Sequence, residues 1–432
     1  MTNREPEAKD HPLPEKALKE LFAQSHDRGR AGLPLMSLSM GRGLVPRNQD
    51  ERRVETNLSH EEHRLVRAGD LAYNMMRMWQ GVCSLAEEDC LVSPAYVVVR
   101  PLDGMHPKFS EYLLSYEETV AQFKRLSFGV VDDRLRLYYK DFERVRVKVP
   151  SPAAQWKIAN ILTTLDNLIE KTEVLIAKYQ ALKQGMMHDL YTRGVDEHGH
   201  LRPPYAEAPN LYKPSPLGWI PRQWEAPKVG EVVTRRPKNG YSPQESNDWT
   251  GTLMLGLSCL TPEGFEPIQL KNAPTNDPNI DAAILNDGDL LISRSNTREL
   301  VGLVGRYRDV GVPCIYSDLM MRLVPTNDVL PEFLETVLRH SPVRRQLTNA
   351  SCGTSGSMMK INAEMVVNTV IVLPNEDEQR ELLRRSESAK LSIFRSKCQL
   401  DKYKQIRSGL KQDLLTGNIR VHVDPAEEAA HA

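Results

Sequence analysis

The sequence contains no run of about 18 apolar residues, so no segment reads as a transmembrane helix. Its opening stretch, MTNREPEAKDHPLPEK, is polar and lacks the apolar core of a secretion signal. Cysteine is scarce. The six residues, at 83, 90, 259, 314, 352 and 398, form no C-x-x-C pair. That spacing argues against a zinc ribbon or disulfide framework and for a reducing, cytosolic setting. An excess of one charge is lacking too, with 56 Lys plus Arg against 57 Asp plus Glu. This balance excludes a histone-like protein. It leaves room for nucleic-acid binding, which needs only a local basic face.

Signatures of catalysis are also missing. There is no G-x-x-x-x-G-K-[ST] phosphate loop and no G-x-G-x-x-G after a strand. The tetrad Arg202-Pro203-Pro204-Tyr205 has the wrong first residue for amino-methyl transfer. His60-Glu61-Glu62-His63 has the wrong spacing for H-E-x-x-H and reads as a solvated turn. His198 and His200 lie in a polar linker. No catalytic residue and no metal site is expected.

What is present is a long internal repeat. With Pro150 set over Pro374, an offset of 224, Gln155 falls on Gln379, Lys178 on Lys402 and Tyr179 on Tyr403. Gly185, Asp189, Leu190 and Thr192 fall on Gly409, Asp413, Leu414 and Thr416 without a gap. Upstream the offset becomes 219, and Gly69-Asp70-Leu71 matches Gly288-Asp289-Leu290. The 432 residues therefore read as one plan used twice, a globular segment followed by a helical one.

Residues 151–192 contain no Pro after position 152 and a single Gly. Ser151 suits an N-cap and Pro152 the first helical position. In the second copy Asn375 caps, with Glu378 three residues on as in a capping box. An apolar seam spaced by four and three runs through Leu165, Ile169, Thr172, Ile176, Tyr179, Lys183, Met186 and Leu190. Its counterpart is Ala389, Ile393, Ser396, Leu400, Tyr403, Arg407, Leu410 and Leu414. This spacing predicts two long helices pairing as an antiparallel coiled coil. A second stripe, Ile158, Ile161, Leu168, Leu175 and Leu182, offers a face for another protein. The globular segments read as α+β. Residues 91–100 and 314–324 are each predicted as one strand, and Val145, Val147 and Val149 alternate as in a final strand.

These motifs resemble a known family. GDLAYNMMRMWQG at 69–81 followed by VSPAYVVVRP at 92–101 looks like a target-recognition domain of the specificity subunit of type I restriction–modification enzymes. QWKIANIL at 155–162, LKQGMMHDL at 182–190 and LGWIPRQWE at 217–225 look like its central conserved region. GLKQDLLTG at 409–417 looks like the matching C-terminal one. No copy of the Trp219–Trp224 motif precedes the first globular segment.

The resemblance implies a pseudo-twofold α+β protein. Its parts are a first target-recognition domain at 1–149, with about 30 tail residues of open assignment, and helical spacers at 150–194 and 374–420. A linker with a second recognition domain occupies 195–373, and an acidic tail without fixed structure 421–432. It implies a noncatalytic reader of a bipartite site in double-stranded DNA. Two methylation subunits would carry adenine-N6 methylation with S-adenosylmethionine, and restriction subunits would use ATP and Mg. This chain itself would bind no cofactor, and no membrane is involved.

Candidate DNA contacts are Arg77, Trp79 and Gln80 in the first segment and Arg294 and Asn296 at the same point of the second. Arg suits guanine or phosphate, and Gln and Asn suit adenine. Thr354 and Ser355 sit in a donor-rich loop, and Asn239 and Tyr241 resemble a family loop near the second reader's DNA face. The partner interface is expected at Leu165, Ile169, Ile176, Tyr179, Met186, Ile393, Leu400, Tyr403 and Leu410. A stand-alone DNA-binding protein and a coiled-coil scaffold without DNA are the competing readings.

Overall fold

The computed structural model describes residues 13–47, 58–129, 135–274, 277–353 and 358–431. The chain divides into two compact units, Met1–Val174 with Lys397–Ala432, and Leu175–Ser396. Two helices dominate, Pro152–Thr192 and Glu376–Thr416, each of 41 residues. Their bounds differ by the same 224 residues as the sequence repeat. Each contributes one part to either unit.

The caps explain where these helices begin. Ser151 Oγ accepts from Ala154 N at 3.4 Å, and Asn375 Oδ1 accepts from Glu378 N at 2.9 Å. The return half of the predicted capping box is not made. The Glu378 carboxylate is instead taken by Arg202, Trp224 and the backbone of Val195. A charged donor at a buried site holds it more strongly than a cap amide.

In the first unit a four-stranded antiparallel sheet runs in the order Phe22–Ser25, Tyr96–Pro101, Leu71–Asn74, Cys83–Leu85. In the second unit the order is Lys238–Asn239, Met320–Leu323, Leu290–Ser293, Val304–Arg306. The central strands Leu71–Asn74 and Leu290–Ser293 follow the two Gly-Asp turns. Gly69 and Gly288 have φ of 91° and 89°, a left-handed backbone that glycine adopts without Cβ strain. The aspartates then clamp the neighbouring strand, Asp70 to Arg100 at 2.8 Å and Asp289 to Arg322 at 3.0 Å.

Both stretches predicted as single strands are broken. Cys90–Val92 and Tyr96–Pro101 are separated by a turn in which Tyr96 N donates to Ser93 O, and Cys314–Tyr316 and Met320–Leu323 by one in which Met320 N donates to Ser317 O. Pro94 cannot donate to a ladder, which favours the break in the first unit. The alternating valines do form the last strand. Val145, Val147 and Val149 are buried, and Arg146–Lys148 pairs with Glu15–Ala17. Thus the start of the chain is less open than the sequence implied, because Leu18, Leu21 and Phe22 are core residues. The acidic end, expected to lack structure, forms a short helix, Pro425–His431, where Glu427 pairs with Lys157 at 2.6 Å.

One glutamine in each unit ties helix to body. Gln155 Oε1 accepts from His106 N at 2.9 Å, and its Nε2 donates to Gly104 O and Pro150 O at 3.0 Å. Gln379 Oε1 accepts from Leu330 N at 3.0 Å, and its Nε2 donates to Asp328 O and Pro374 O at 3.1 Å. All four residues of the second set lie 224 positions after those of the first. Both glutamines are buried, where an amide left unpaired costs about 1–3 kcal/mol.

Candidate nucleic-acid interface

In the first unit the turn after Leu71–Asn74 carries the candidate residues. Asn74 Oδ1 accepts from Met76 N at 2.9 Å, which bends the chain out of the strand. Met78 is buried under the turn, while Arg77 and Gln80 stay exposed. Trp79 is half-buried. Its Nε1 donates to Met76 O at 3.0 Å, and the Lys124 ammonium sits 5.9 Å from its ring centre. Trp79 therefore supports the turn from below, and Arg77 and Gln80 are the groups free to meet a ligand. Gly81 closes the turn with φ of 77°.

In the second unit the candidates gather at the same end of the equivalent central strand. Arg294 follows Leu290–Ser293 directly, and its Nη1 donates to Asp318 O at 3.4 Å. Asp318 accepts from Ser242 Oγ at 2.5 Å, bringing the 239–242 loop to the same place. Asn239 is exposed on a strand opposite Met321. Tyr241 points elsewhere. Its hydroxyl donates to Asp277 at 2.7 Å and holds that carboxyl below its ordinary range. It is a fastener of the loop rather than a free contact. Asn296 lies on a short strand opposite Met359, and its Oδ1 accepts from Thr297 N at 2.8 Å. Thr354 and Ser355 lie outside the described residues. Cys352 bridges Lys360, whose neighbour Met359 faces Asn296.

Sequence reasoning did not find Lys124, Ser242 or Asp318, because each reaches its partner from another part of the chain. His60–Glu62 forms a single 3-10 turn. The His63 ring nitrogen Nδ1 bonds Ser59 O at 2.8 Å, a structural role. No group of three or more His, Cys, Asp or Glu able to hold a metal occurs among the described residues. No helix of the described residues is long and apolar enough to cross a membrane.

Along the helices the seam residues are the shielded ones. Ile176 and Ile393 are buried, and Leu165, Ile169, Tyr179, Met186, Leu400, Tyr403 and Leu410 are half-buried. In the first unit Asp166 pairs with Arg407 at 2.6 Å and Glu173 with Lys404 at 2.8 Å. Rising numbers on one helix meet falling numbers on the other, so the two run in opposite directions there. The second stripe stays exposed at Ile161, Leu168, Leu175 and Leu182.

Each α+β unit thus carries a four-stranded sheet whose central strand ends in exposed polar residues. The model of the type I restriction modification DNA specificity domain matches residues 73–178. The MjaVIII type I restriction enzyme specificity subunit of Methanocaldococcus jannaschii is 26% identical over 65% of this chain and 64% of its own length. The EcoKI specificity subunit of Escherichia coli K12 is 24% identical over 57% of this chain and 51% of its own length. The chain thus spans about half to two thirds of these curated relatives. A solved S subunit from M. genitalium superposes with a TM-score of 0.55 at 14% identity, covering 96% of this chain and 99% of that one. A chain from a structure of type I R-M complex assembly does so with 0.54 at 14% identity, covering 96% and 100%. These two show the fold. The chain is similar to type I restriction specificity subunits over the stretches these comparisons cover.

Proposed function

We propose that this chain is the noncatalytic DNA-reading subunit of a type I restriction–modification complex. Each unit reads one half of an asymmetric, bipartite site in duplex DNA, and the long helices set the gap. In this reading the units are two copies of one plan and the helices an antiparallel coiled coil. The observation that carries it is the placement of candidate contacts. Arg77 with Gln80, and Arg294 with Asn296, leave the same end of the equivalent central strand in two sheets of the same order. Equivalent frames with different side chains suit two different half-sites.

Two methylation subunits dock on the helical scaffold and supply adenine-N6 methylation with S-adenosylmethionine. Restriction subunits supply ATP- and Mg-dependent translocation and cleavage. This chain contributes recognition and spacing, and it holds no cofactor of its own.

The experiment is genome-wide mapping of methylated adenines in cells carrying domain swaps. Replacing residues 1–149 by the same segment of a relative should change one half-site and leave the other half and the gap intact. Deleting two heptads from each helix should shorten the gap, since a heptad is about 10 Å of helix. A swap that altered both half-sites together would refute the two-reader model.

A further inference from the structure

We propose that Phe128 and Arg136, paired in an antiparallel bridge in the first unit, reach the base pairs of its half-site, with Lys124 and Arg125 holding adjacent phosphates. The inference rests on the reading of the chain as a DNA reader and adds residues outside the strand-end turn. Phe128 N donates to Arg136 O at 3.0 Å, and Arg136 N donates to Phe128 O at 2.8 Å. Residues exchanging both bonds across an antiparallel pair project from one face. Phe128 and Arg136 therefore stand side by side.

Their base is held firmly. Leu137, the next residue, is fully buried, and its N donates to Met75 O at 2.9 Å, in the strand-end turn itself. Ser127 Oγ donates to Phe123 O at 2.7 Å, and Phe123 is also fully buried. Between these two anchors Phe128 remains 61% exposed. Folding gains from burying such a ring, so a rigid frame that keeps it out points to a ligand.

The surroundings say which ligand. Arg77, Lys124, Arg125 and Arg136 are exposed and have no acidic partner among the described residues. Lys124 rests over Trp79, which ties helix Glu117–Leu126 to the turn carrying Arg77. Four cations without an acidic partner among the described residues, on the turn, helix and bridge that adjoin one exposed ring, fit a polyanion with flat apolar groups inside. That is duplex DNA rather than a protein surface. A phenyl ring at a base edge packs on a thymine methyl or wedges a base step.

The test uses the full chain together with its host's methylation subunits. Phe128→Ala should relax one or two adjacent positions of a single half-site, with about a tenfold loss of discrimination there and the other half unchanged. Phe128→Trp should keep selectivity at those positions. Lys124→Ala with Arg125→Ala should weaken all sequences alike and reduce the slope of log affinity against log salt by about 2. Thermal unfolding should stay unchanged in every variant, since these side chains are exposed. A Phe128→Ala methylation map identical to wild type, or an unaltered salt slope, would overturn the proposal. If the wild-type complex itself marked no split site, the DNA-reading function would fall along with it.

Discussion

Arg202 and Glu378 form a buried ion pair, 2.5 Å from Nη1 to Oε1, inside the second unit. The same carboxylate accepts from Trp224 Nε1 at 2.9 Å and from Val195 N at 2.8 Å. It fastens the segment after the first long helix to the first turn of the second. Removing one partner of such a pair strands a buried charge. Arg202→Ala should therefore cost about 3–5 kcal/mol, read as a lower denaturant midpoint. Gly194→Ala should act in the same direction. Its φ is +62°, and a Cβ there would lie 2.2 Å from Glu378 Oε1. Unchanged midpoints in both variants would contradict this account.

The long helices offer the opposite case. Gly185 and Gly409 sit within them, and a Cβ at either position meets nothing within 4 Å. Alanine restricts the unfolded chain more and favours the helix, by roughly 0.5–1 kcal/mol per site. Gly185→Ala and Gly409→Ala should each raise the unfolding midpoint. A fall in either would contradict this account.

The second unit should also lose stability on mild acidification. Burial holds the His340 imidazole down at about 4, against an ordinary 6.5, with His188 and Arg345 acting the same way. Above pH 6.5 both folded and unfolded states are neutral at this ring, so it contributes no slope. As pH falls from 6.5 towards 4 the unfolded state takes up a proton that the folded state refuses, and unfolding gains. His340→Gln should flatten this part of the stability–pH profile, followed by thermal unfolding between pH 7 and 4. An identical profile in the variant would refute the assignment.

At the second strand-end site, Gly240 is needed for space. A Cβ there would lie 2.0 Å from Tyr316 O and 2.6 Å from Ser317 O. Gly240→Ala should push the 239–242 loop off Asp318 and change selectivity in one half-site only. The check is methylation mapping beside a thermal melt. Altered selectivity in both halves would show that the site is not confined to this unit.

Much of the framework was legible in the sequence. The two long helices announce themselves through an absence of interior proline, a capping residue and a period of four and three, all local properties of the chain. The Gly-Asp turns were equally visible, because a left-handed φ followed by a short acid is a local requirement. The pattern at 91–100 and 314–324 does not show the break in each strand, since each turn is closed by a single backbone hydrogen bond. Glu378 shows the limit most clearly. Its place in the sequence fits a cap box, yet its carboxylate goes to Arg202, 176 residues away. By sequence Tyr241 resembles a contact residue, and the neighbourhood of Asp277 makes it a fastener.

The residue pattern marks where the two long helices start and stop, and its offset of 224 sets Gln155 over Gln379. Propensity, capping and periodicity act over a few residues and are written in them. Only the folded chain settles what those glutamines hold, that Phe128 pairs with Arg136, and which candidate side chains stay exposed. Those outcomes depend on burial and on polar groups finding partners, often from distant stretches of chain, and the residue types alone do not specify who meets whom.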